Sequence, residues 1–251
     1  MASGDGDVVK SVGRVFEVLE LFDARRAPLS ATEVERALRY PQSSTLALLK
    51  SMVRLGYLAF DRIDRSYLPT MRVAALGRWV DAAFHGEGRL AALVDELAGS
   101  TSETVCLSCQ NDLSMQFTQV RLGGQGLILS VKPGDVVPLF ESAIGLTALS
   151  ARPDASIRKL AARMNRQARG QRPKVDLEAV LQRVRRIRAA GHGTGYGLHL
   201  RDIGALAWSL VPEGAPRPIV LSIGGPVARI REREAHLVKA VRAAIRCHLG
   251  H

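Results

Sequence analysis

Near the N-terminus, two helix starts follow each other at very short range. Ser30 and Glu33 have the spacing of a capping box, in which the serine hydroxyl accepts from the Glu33 amide and the carboxylate reaches back to the Ser30 amide. The helix that they begin is predicted at 31–38. Only a two-residue turn separates it from Pro41, and proline is favoured in the first turn of a helix. Few compact units other than a helix-turn-helix need two helices so closely spaced.

The segments on either side complete this unit. Residues 9–22 carry apolar side chains at three- and four-residue spacing, which predicts a first helix. The helix that starts at Pro41 is predicted at 41–55, with an apolar inner face and a polar leading edge. Two β-rich runs, 57–61 and 66–69, flank a polar turn and predict a hairpin. The order helix, short helix, helix, hairpin is that of a winged helix-turn-helix.

The whole chain therefore divides into three predicted parts. The winged helix-turn-helix occupies 1–69, a connecting helix 70–85, and a second domain 86–251. The second domain has strand-like runs in two batches, with helical patterns between and around them, so the fold class is α+β with an antiparallel sheet. Its strands are predicted at 103–109, 113–120, 126–132, 203–211 and 217–224. Its helices are predicted at 90–97, 143–151, 155–168, 176–190 and 229–249, and the glycine-rich stretch 191–197 is predicted to be a close-packed turn.

Charge and composition limit the partners and the compartment. The formal net charge of +11 suggests an anionic partner. Most of the excess lies in 152–188, which holds twelve Lys and Arg against three Asp and Glu; a solvated helical face is the favoured interpretation there, and a second nucleic-acid surface is the alternative. No apolar run approaches the roughly 20 residues of a membrane helix, and the polar N-terminus does not resemble a secretion signal. We therefore expect no membrane association and a cytoplasmic protein.

The chain has only three cysteines, and this small, odd number argues against a disulfide framework and against a metal centre. Cys106 and Cys109 lie in a predicted strand, where residues three apart point to opposite faces. A zinc site needs a second pair of ligands, and none stands at a familiar spacing. We expect no metal and no cofactor.

Several motifs resemble the IclR-type transcriptional regulators, and they occur in the family's order over nearly the whole chain. In the first half they are Ser-Val-Gly-Arg at 11–14, Leu-Ser-Ala-Thr-Glu at 29–33, Pro-Gln-Ser-Ser-Thr at 41–45 and Leu-Gly-Tyr-Leu at 55–58. In the second half they lie at 134–139, 143–145, 187–191 and 221–226. The resemblance implies a GAF-like effector-binding domain, homodimers or homotetramers, double-stranded operator DNA as partner, and control of genes for small organic or aromatic acid metabolism.

The resemblance also assigns the DNA contacts. After Pro-Gln-Ser-Ser, relatives commonly carry a His or Arg pair, where this chain has Thr45 followed by leucine and alanine. Contacts to bases are therefore expected to fall on Gln42, Ser43, Ser44 and Thr45, and glutamine can pair with adenine through two hydrogen bonds. Contacts to phosphates, which set affinity and register, are expected from Arg14, Lys50, Arg62 and Arg65.

The expected effector pocket has lost most of the family's polar side chains. Family members often line it with small residues, an acid, a cysteine and a pair of serines. The corresponding positions are Ala143, Ile144 and Gly145, then Gly195 or Tyr196 for the acid, Ala205 for the cysteine, and Ser222 with Gly224 for the serines. The predicted effector is therefore a larger, more apolar ligand such as an aromatic acid, bound by backbone amides, with Tyr196 or Trp208 supplying apolar surface.

Three alternatives stay open at this point. In the first alternative, the second domain is a degenerate sensor that binds nothing and only holds the oligomer together. In the second, the chain is a small enzyme on a GAF-like scaffold, with redox or sulfoxide chemistry at Cys106 and Cys109. No catalytic residue is assigned for this enzyme, because His192 and His199 have no acid at a triad-like spacing. In the third, the winged helix binds a protein partner instead of DNA.

Overall fold

The computed structural model describes residues 9–77, 88–124, 128–168, 174–211 and 218–250. The chain divides into two units, Met1–Val80 and Asp81–His251. The division falls within the segment predicted as a connecting helix, 70–85. That segment is helical at 71–77, and its part from 78 onwards lies outside the described residues.

The first unit follows the predicted winged helix-turn-helix order. Its strands pair in the order β1-β3-β2, and both pairings are antiparallel. The elements are α1 (Lys10–Arg25), β1 (Leu29–Ser30), α2 (Ala31–Leu38), α3 (Gln42–Arg54), β2 (Leu58–Asp61), β3 (Ser66–Pro69) and the helix at 71–77, here α4.

The tight turn between α2 and α3 forms as predicted. The Ser30 hydroxyl accepts from the Glu33 amide at 3.3 Å, and the Ser30 amide donates to the Glu33 carboxylate at 2.7 Å. Arg39 ends α2 in the left-handed conformation with φ 56°. Pro41 is the N-cap of α3 and not its first residue, a shift of one position. The two helices pack on α1 and the hairpin through a core of Val18, Phe22, Leu29, Val34, Leu49, Met52, Leu58 and Tyr67.

The second unit is built around a six-stranded sheet in the order β6-β5-β4-β9-β8-β7, with every pairing antiparallel. Its strands are β4 (Thr104–Asn111), β5 (Ser114–Arg121), β6 (Val136–Pro138), β7 (Gly193–Tyr196), β8 (Ile203–Leu210) and β9 (Ile219–Pro226). Its helices are α5 (Arg89–Thr101), α6 (Ala143–Ser150), α7 (Asp154–Gln167), α8 (Leu177–Ala190), α9 (Val227–Glu232) and α10 (Glu234–Leu249).

Apolar residues on each face of this sheet form a separate core, because side chains alternate along a strand. Cys106 and Ala207 belong to the core covered by α6, α7 and α8. Leu107 and Trp208, one position further along the same strands, belong to the core covered by α5, α9 and α10. Cys109 packs against this second core, so the two cysteines point to opposite faces as predicted.

Three sequence-based predictions in this unit were wrong. Residues 128–132 form no strand, and the rest of the prediction at 126–132 lies outside the described residues. Gly134, with φ 95°, turns the chain there and donates to the Phe117 carbonyl of β5, and the regular ladder with β5 follows at β6. The glycine-rich stretch contains the edge strand β7 instead of a turn. The final helix is broken at Arg233, whose guanidinium donates to Glu103 and to the Thr101 carbonyl.

Candidate nucleic-acid interface and ligand cavity

The polar leading edge of α3 faces outward. Gln42, Ser43 and Lys50 are exposed and Ser44 is half-buried. On the opposite side of the helix, Leu49 and Met52 are buried in the core. The helix is thus anchored from behind and presents polar side chains to solvent.

Thr45 is not part of this edge, so its prediction as a base contact was wrong. Its side chain is 1% exposed and its hydroxyl donates to the Pro41 carbonyl at 3.2 Å. Thr45 precedes the buried Leu49 by four residues and Met52 by seven, which places all three on one face of the helix. The apolar stripe of α3 therefore begins one turn earlier than its leucines indicate.

The predicted phosphate contacts lie at the edges of the same unit. The Arg14 guanidinium stacks 4.7 Å from the centre of the Tyr40 ring, in the turn between α2 and α3, and the Tyr40 hydroxyl donates to Glu17. Arg62 and Arg65 are exposed in the turn between β2 and β3.

The hairpin turn is held by a side chain that the sequence analysis did not single out. The Asp61 carboxylate accepts from the amides of Ile63 at 2.7 Å and Asp64 at 3.1 Å, a turn typical of aspartate. Ile63 stands at the tip and is 91% exposed. The sequence does not single out Ile63, because it lies in a turn between two strands and belongs to no helical or alternating pattern of apolar residues.

In the second unit, a cavity of about 90 Å³ lies between the sheet and the N-terminal end of α6. Six of the predicted effector residues line it: Ala143, Ile144, Gly195, Ala205, Ser222 and Gly224. The other lining residues were not predicted from the sequence; they are Cys106, Phe117, Leu129, Val131, Val137, Ser142, Leu198, His199, Leu200 and Ile203. Cys106 lies beside the predicted Ser222 because the two residues pair in register across β4 and β9, and only the structure shows this pairing.

Three predicted effector residues do not line the cavity. Tyr196 packs against the core on the other face of the sheet, and Trp208 is part of that core. Each follows by one residue a position on the cavity side of its strand, Gly195 and Ala207, and neighbouring strand residues face opposite sides. Tyr196 donates to Glu234 at 2.6 Å, and its pKa is raised well above its usual range, first by burial and then by this bond. Gly145 is buried in α6, where a Cβ would come within 2.0 Å of the Leu139 carbonyl oxygen.

The cavity is apolar apart from a few groups. Ser142 caps α6: its hydroxyl accepts from the Gly145 amide at 3.1 Å and donates to the Pro138 carbonyl at 2.6 Å. The Ser222 hydroxyl has no hydrogen-bond partner among the described residues. Burial raises the pKa of Cys106 to about 12, so its thiol is neutral and a poor nucleophile. His199 lies at the exposed mouth.

Two absences among the described residues bear on the site. Within the described residues, no group of three or more His, Cys, Asp or Glu is placed to hold a metal ion. In the same part of the chain, no helix is both long and apolar enough to cross a membrane.

Comparison with known families explains both units. Residues 11–62 match the IclR helix-turn-helix domain, and residues 89–247 match the C-terminal domain of the bacterial transcriptional regulator IclR. The chain belongs to the IclR family. These families and the relatives below are transcription regulators and not enzymes. The family's helix-turn-helix domain covers α1 to β2 of the first unit, and its C-terminal domain covers the unit that holds the cavity.

Individual IclR relatives are distant. The Pca regulon regulatory protein of Pseudomonas putida is 22% identical over 193 residues, 75% of this chain and 65% of that protein, just under two thirds of its length. The regulator TsaQ1/TsaQ2 of Comamonas testosteroni is 25% identical over 232 residues, 89% of this chain and 80% of that protein. The crystal structure of Thermotoga maritima IclR matches with a TM-score of 0.65 at 16% identity, over 94% of this chain and 96% of that one, which shows the shared fold.

Proposed function

We propose that this IclR-family regulator binds a specific operator through α3 and the hairpin, and that a small organic acid in the α6 cavity modulates this binding. The outward polar edge of α3, anchored by Leu49 and Met52, is the observation that carries the proposal. A helix of this kind has the size and polarity to enter the major groove.

The side chains of the first unit divide into base readers and phosphate contacts. Gln42, at the first position of α3, can pair with adenine through two hydrogen bonds, with Ser43 and Ser44 beside it. Lys50, Arg14 and the two hairpin arginines are charged groups that attract phosphates without reading bases.

The experiment starts by selecting bound sequences from a random DNA pool and then compares Gln42→Ala with Lys50→Ala on operator variants. Gln42→Ala should lose about 1–3 kcal/mol of discrimination at one base position. Lys50→Ala should weaken binding to all sequences alike and lower the salt slope by about one. Identical behaviour of the two variants across all operators contradicts the proposal. A flat salt response of the unchanged protein favours a protein partner instead of DNA.

The cavity offers an organic acid two kinds of contact. Ala143 and Ile144 are the first residues of α6, and the first amides of a helix lack acceptors within it and attract negative charge. Phe117, Leu129 and Val137 offer apolar surface for the rest of the ligand. This lining favours a ring-bearing acid, whereas the volume of about 90 Å³ is below the roughly 150 Å³ of an engineered cavity that binds benzene. An aromatic acid therefore requires the cavity to widen, or it extends through the exposed mouth at His199 and Leu200.

Calorimetric titration with glyoxylate and with benzoate tests the effector and its size. Ala205→Phe fills the cavity, so it should abolish the binding of either acid and the operator response, while operator affinity without acid is unchanged. Tight binding of glyoxylate contradicts the larger, aromatic ligand. No binding by a panel of short keto acids and aromatic acids supports the alternative of a degenerate sensor.

Pairing of subunits completes the proposed mechanism. Val9, Val12 and Phe16 form an exposed apolar stripe along α1, and Met71 and Leu76 are exposed on α4. Such apolar side chains are suited to contacts in a dimer or tetramer, which would present two reading helices to two half-sites. A ligand that favours one arrangement of paired subunits then changes operator affinity, with a coupling of about 1–3 kcal/mol.

A further inference from the structure

The positive charge of the second unit is concentrated on one helical hairpin. Helices α7 and α8 lie within 152–188, the segment with twelve Lys and Arg against three Asp and Glu. The Val175 amide donates to the Asn165 side chain at 2.7 Å, which ties the start of α8 to the end of α7. This hairpin is far from the α3 surface in the sequence and belongs to the other unit.

The few acids of the hairpin are already engaged. Asp154 accepts from Arg188 at 2.7 Å, and Arg188 with its other arginine neighbours holds the pKa of Asp154 below its usual value. Glu178 lies 3.6 Å from Arg158. Asp176 caps α8 by accepting from the Ala179 amide. The remaining basic side chains therefore have little acidic charge left to neutralise them.

Several exposed cations of the hairpin have no partner in the part of the chain that the structure describes, among them Lys159, Arg166 and Arg186. Lys159 and Arg166 lie on α7, seven residues and two turns apart, so they share one face. Arg186 is exposed on α8, whose buried face is formed by Val184 and Ile187 among others. Lys159 follows the buried Ile157 by two residues and Arg186 follows the buried Val184 by two, so each lies about 200° round its helix from the core. Lys159, Arg166 and Arg186 are here called the hairpin basic face.

The hairpin basic face carries charge without apolar anchors. Among the described residues of 152–188, no large apolar side chain is exposed. A helix that binds a membrane surface needs an exposed apolar side, and protein interfaces are enriched in aromatic and apolar side chains at their centre. A polyphosphate backbone needs neither, because it is bound by Lys and Arg and by the release of counterions.

We propose that the hairpin basic face binds the phosphate backbone of duplex DNA without reading its sequence. It adds a second, nonspecific contact to that of α3 and places it in the effector-binding unit. The contact does not depend on operator recognition, since phosphates are present in every duplex.

The test measures binding of a fluorescein-labelled, mixed-sequence DNA duplex over a KCl series, with the full-length chain. The hairpin variant carries Lys159→Gln, Arg166→Gln and Arg186→Gln. Each phosphate contact contributes about 0.9 to the slope of log affinity against log salt. The proposal therefore expects the slope to fall by close to three in this variant, with unchanged circular dichroism and thermal unfolding.

A charge-matched control separates this face from net charge. The control variant carries Arg201→Gln, Lys239→Gln and Arg246→Gln, three exposed cations of the same unit that lie outside the hairpin. Its slope should equal that of the unchanged protein. The proposal is overturned if both variants lower the slope equally, or if the hairpin variant leaves it unchanged. It is also overturned if the hairpin variant loses only binding to phosphatidylserine vesicles. Lys50→Ala reports on α3 separately, so the two proposals fail independently.

Discussion

Arg229 forms a bidentate ion pair with Glu103: its Nε donates to one carboxylate oxygen at 2.7 Å and its Nη2 donates to the other at 2.6 Å. Glu103 is 1% exposed, and Arg233 donates to it at 3.0 Å. This cluster ties the start of β4 to α9 and α10. Removing one partner of a buried pair leaves an uncompensated charge. Since the arginines remain about one-third exposed, we expect Glu103→Gln to lower the free energy of unfolding by only about 2 kcal/mol.

Urea unfolding of the full chain measures this change. The control is Arg121→Gln, which breaks the pair with Asp95 on the surface. Both partners of that pair are about half exposed, so its loss should cost less than about 1 kcal/mol. Equal shifts of the unfolding midpoint in the two variants would show that the Glu103 cluster has no special role.

The capping box of α2 gives a pH-dependent prediction. The hydrogen bonds from the amide and then the hydroxyl of Ser30 hold the pKa of Glu33 below its usual 4.5. A carboxylate with a lowered folded-state pKa stabilises the fold above its unfolded pKa, and this contribution is lost as the pH falls through the folded pKa. The stability gap between the unchanged protein and Glu33→Gln should therefore be present at neutral pH and close in acid.

Unfolding midpoints measured over an acid pH series check this prediction. Ser30→Ala, which removes the cap hydroxyl, should cost about 1 kcal/mol at neutral pH. A gap between the unchanged protein and Glu33→Gln that widens in acid would contradict the assigned role of Glu33.

The first unit was predictable from sequence because its signals are local. The capping box at Ser30, the two-residue turn before Pro41 and the spacing of Leu49 and Met52 each depend on residues within two helical turns. The structure confirms all of them. Thr45 was wrongly assigned to the polar edge because threonine is a polar residue type. Its position on the helix, in line with Leu49 and Met52, is that of a core residue.

The cavity was only partly predictable because its lining comes from distant segments. Ala205 and Gly224 pair in register across β8 and β9, which the sequence does not specify. Adjacent strand residues face opposite sides, so Gly195 and Tyr196 cannot both line one cavity, and only the register decides between them. The segment 198–200 has no periodic pattern, and its role at the cavity mouth follows from the tertiary structure alone.

Cys106 and Cys247 should differ strongly in reactivity. Burial raises the pKa of Cys106 to about 12, whereas Cys247 is exposed. The thiolate is the reactive form, and the higher intrinsic nucleophilicity of a less acidic thiol only partly offsets its scarcity. Iodoacetamide at neutral pH should therefore alkylate Cys106 at least about a hundredfold more slowly than Cys247.

Peptide mass spectrometry over time measures both alkylation rates in one sample. In denaturant the two rates should become similar, because the burial is lost. Comparable rates in the folded protein would contradict the burial of Cys106 and the neutral state of its thiol, and would revive the redox alternative.

The apolar stripe of α1 predicts a subunit contact. Phe16 is 59% exposed and continues a line from Val9 and Val12 at three- and four-residue spacing. Apolar groups in such a line are stabilised when a second subunit covers them. Phe16→Asp would place a charge in that contact, so we expect a shift towards monomers in light scattering and at least about tenfold weaker operator binding, since one subunit reaches one half-site. Ser11→Asp adds the same charge at an exposed position off the stripe and should leave the light-scattering mass unchanged. If Phe16→Asp keeps the mass of the unchanged protein, α1 is not a pairing surface, and the second unit must hold the oligomer together.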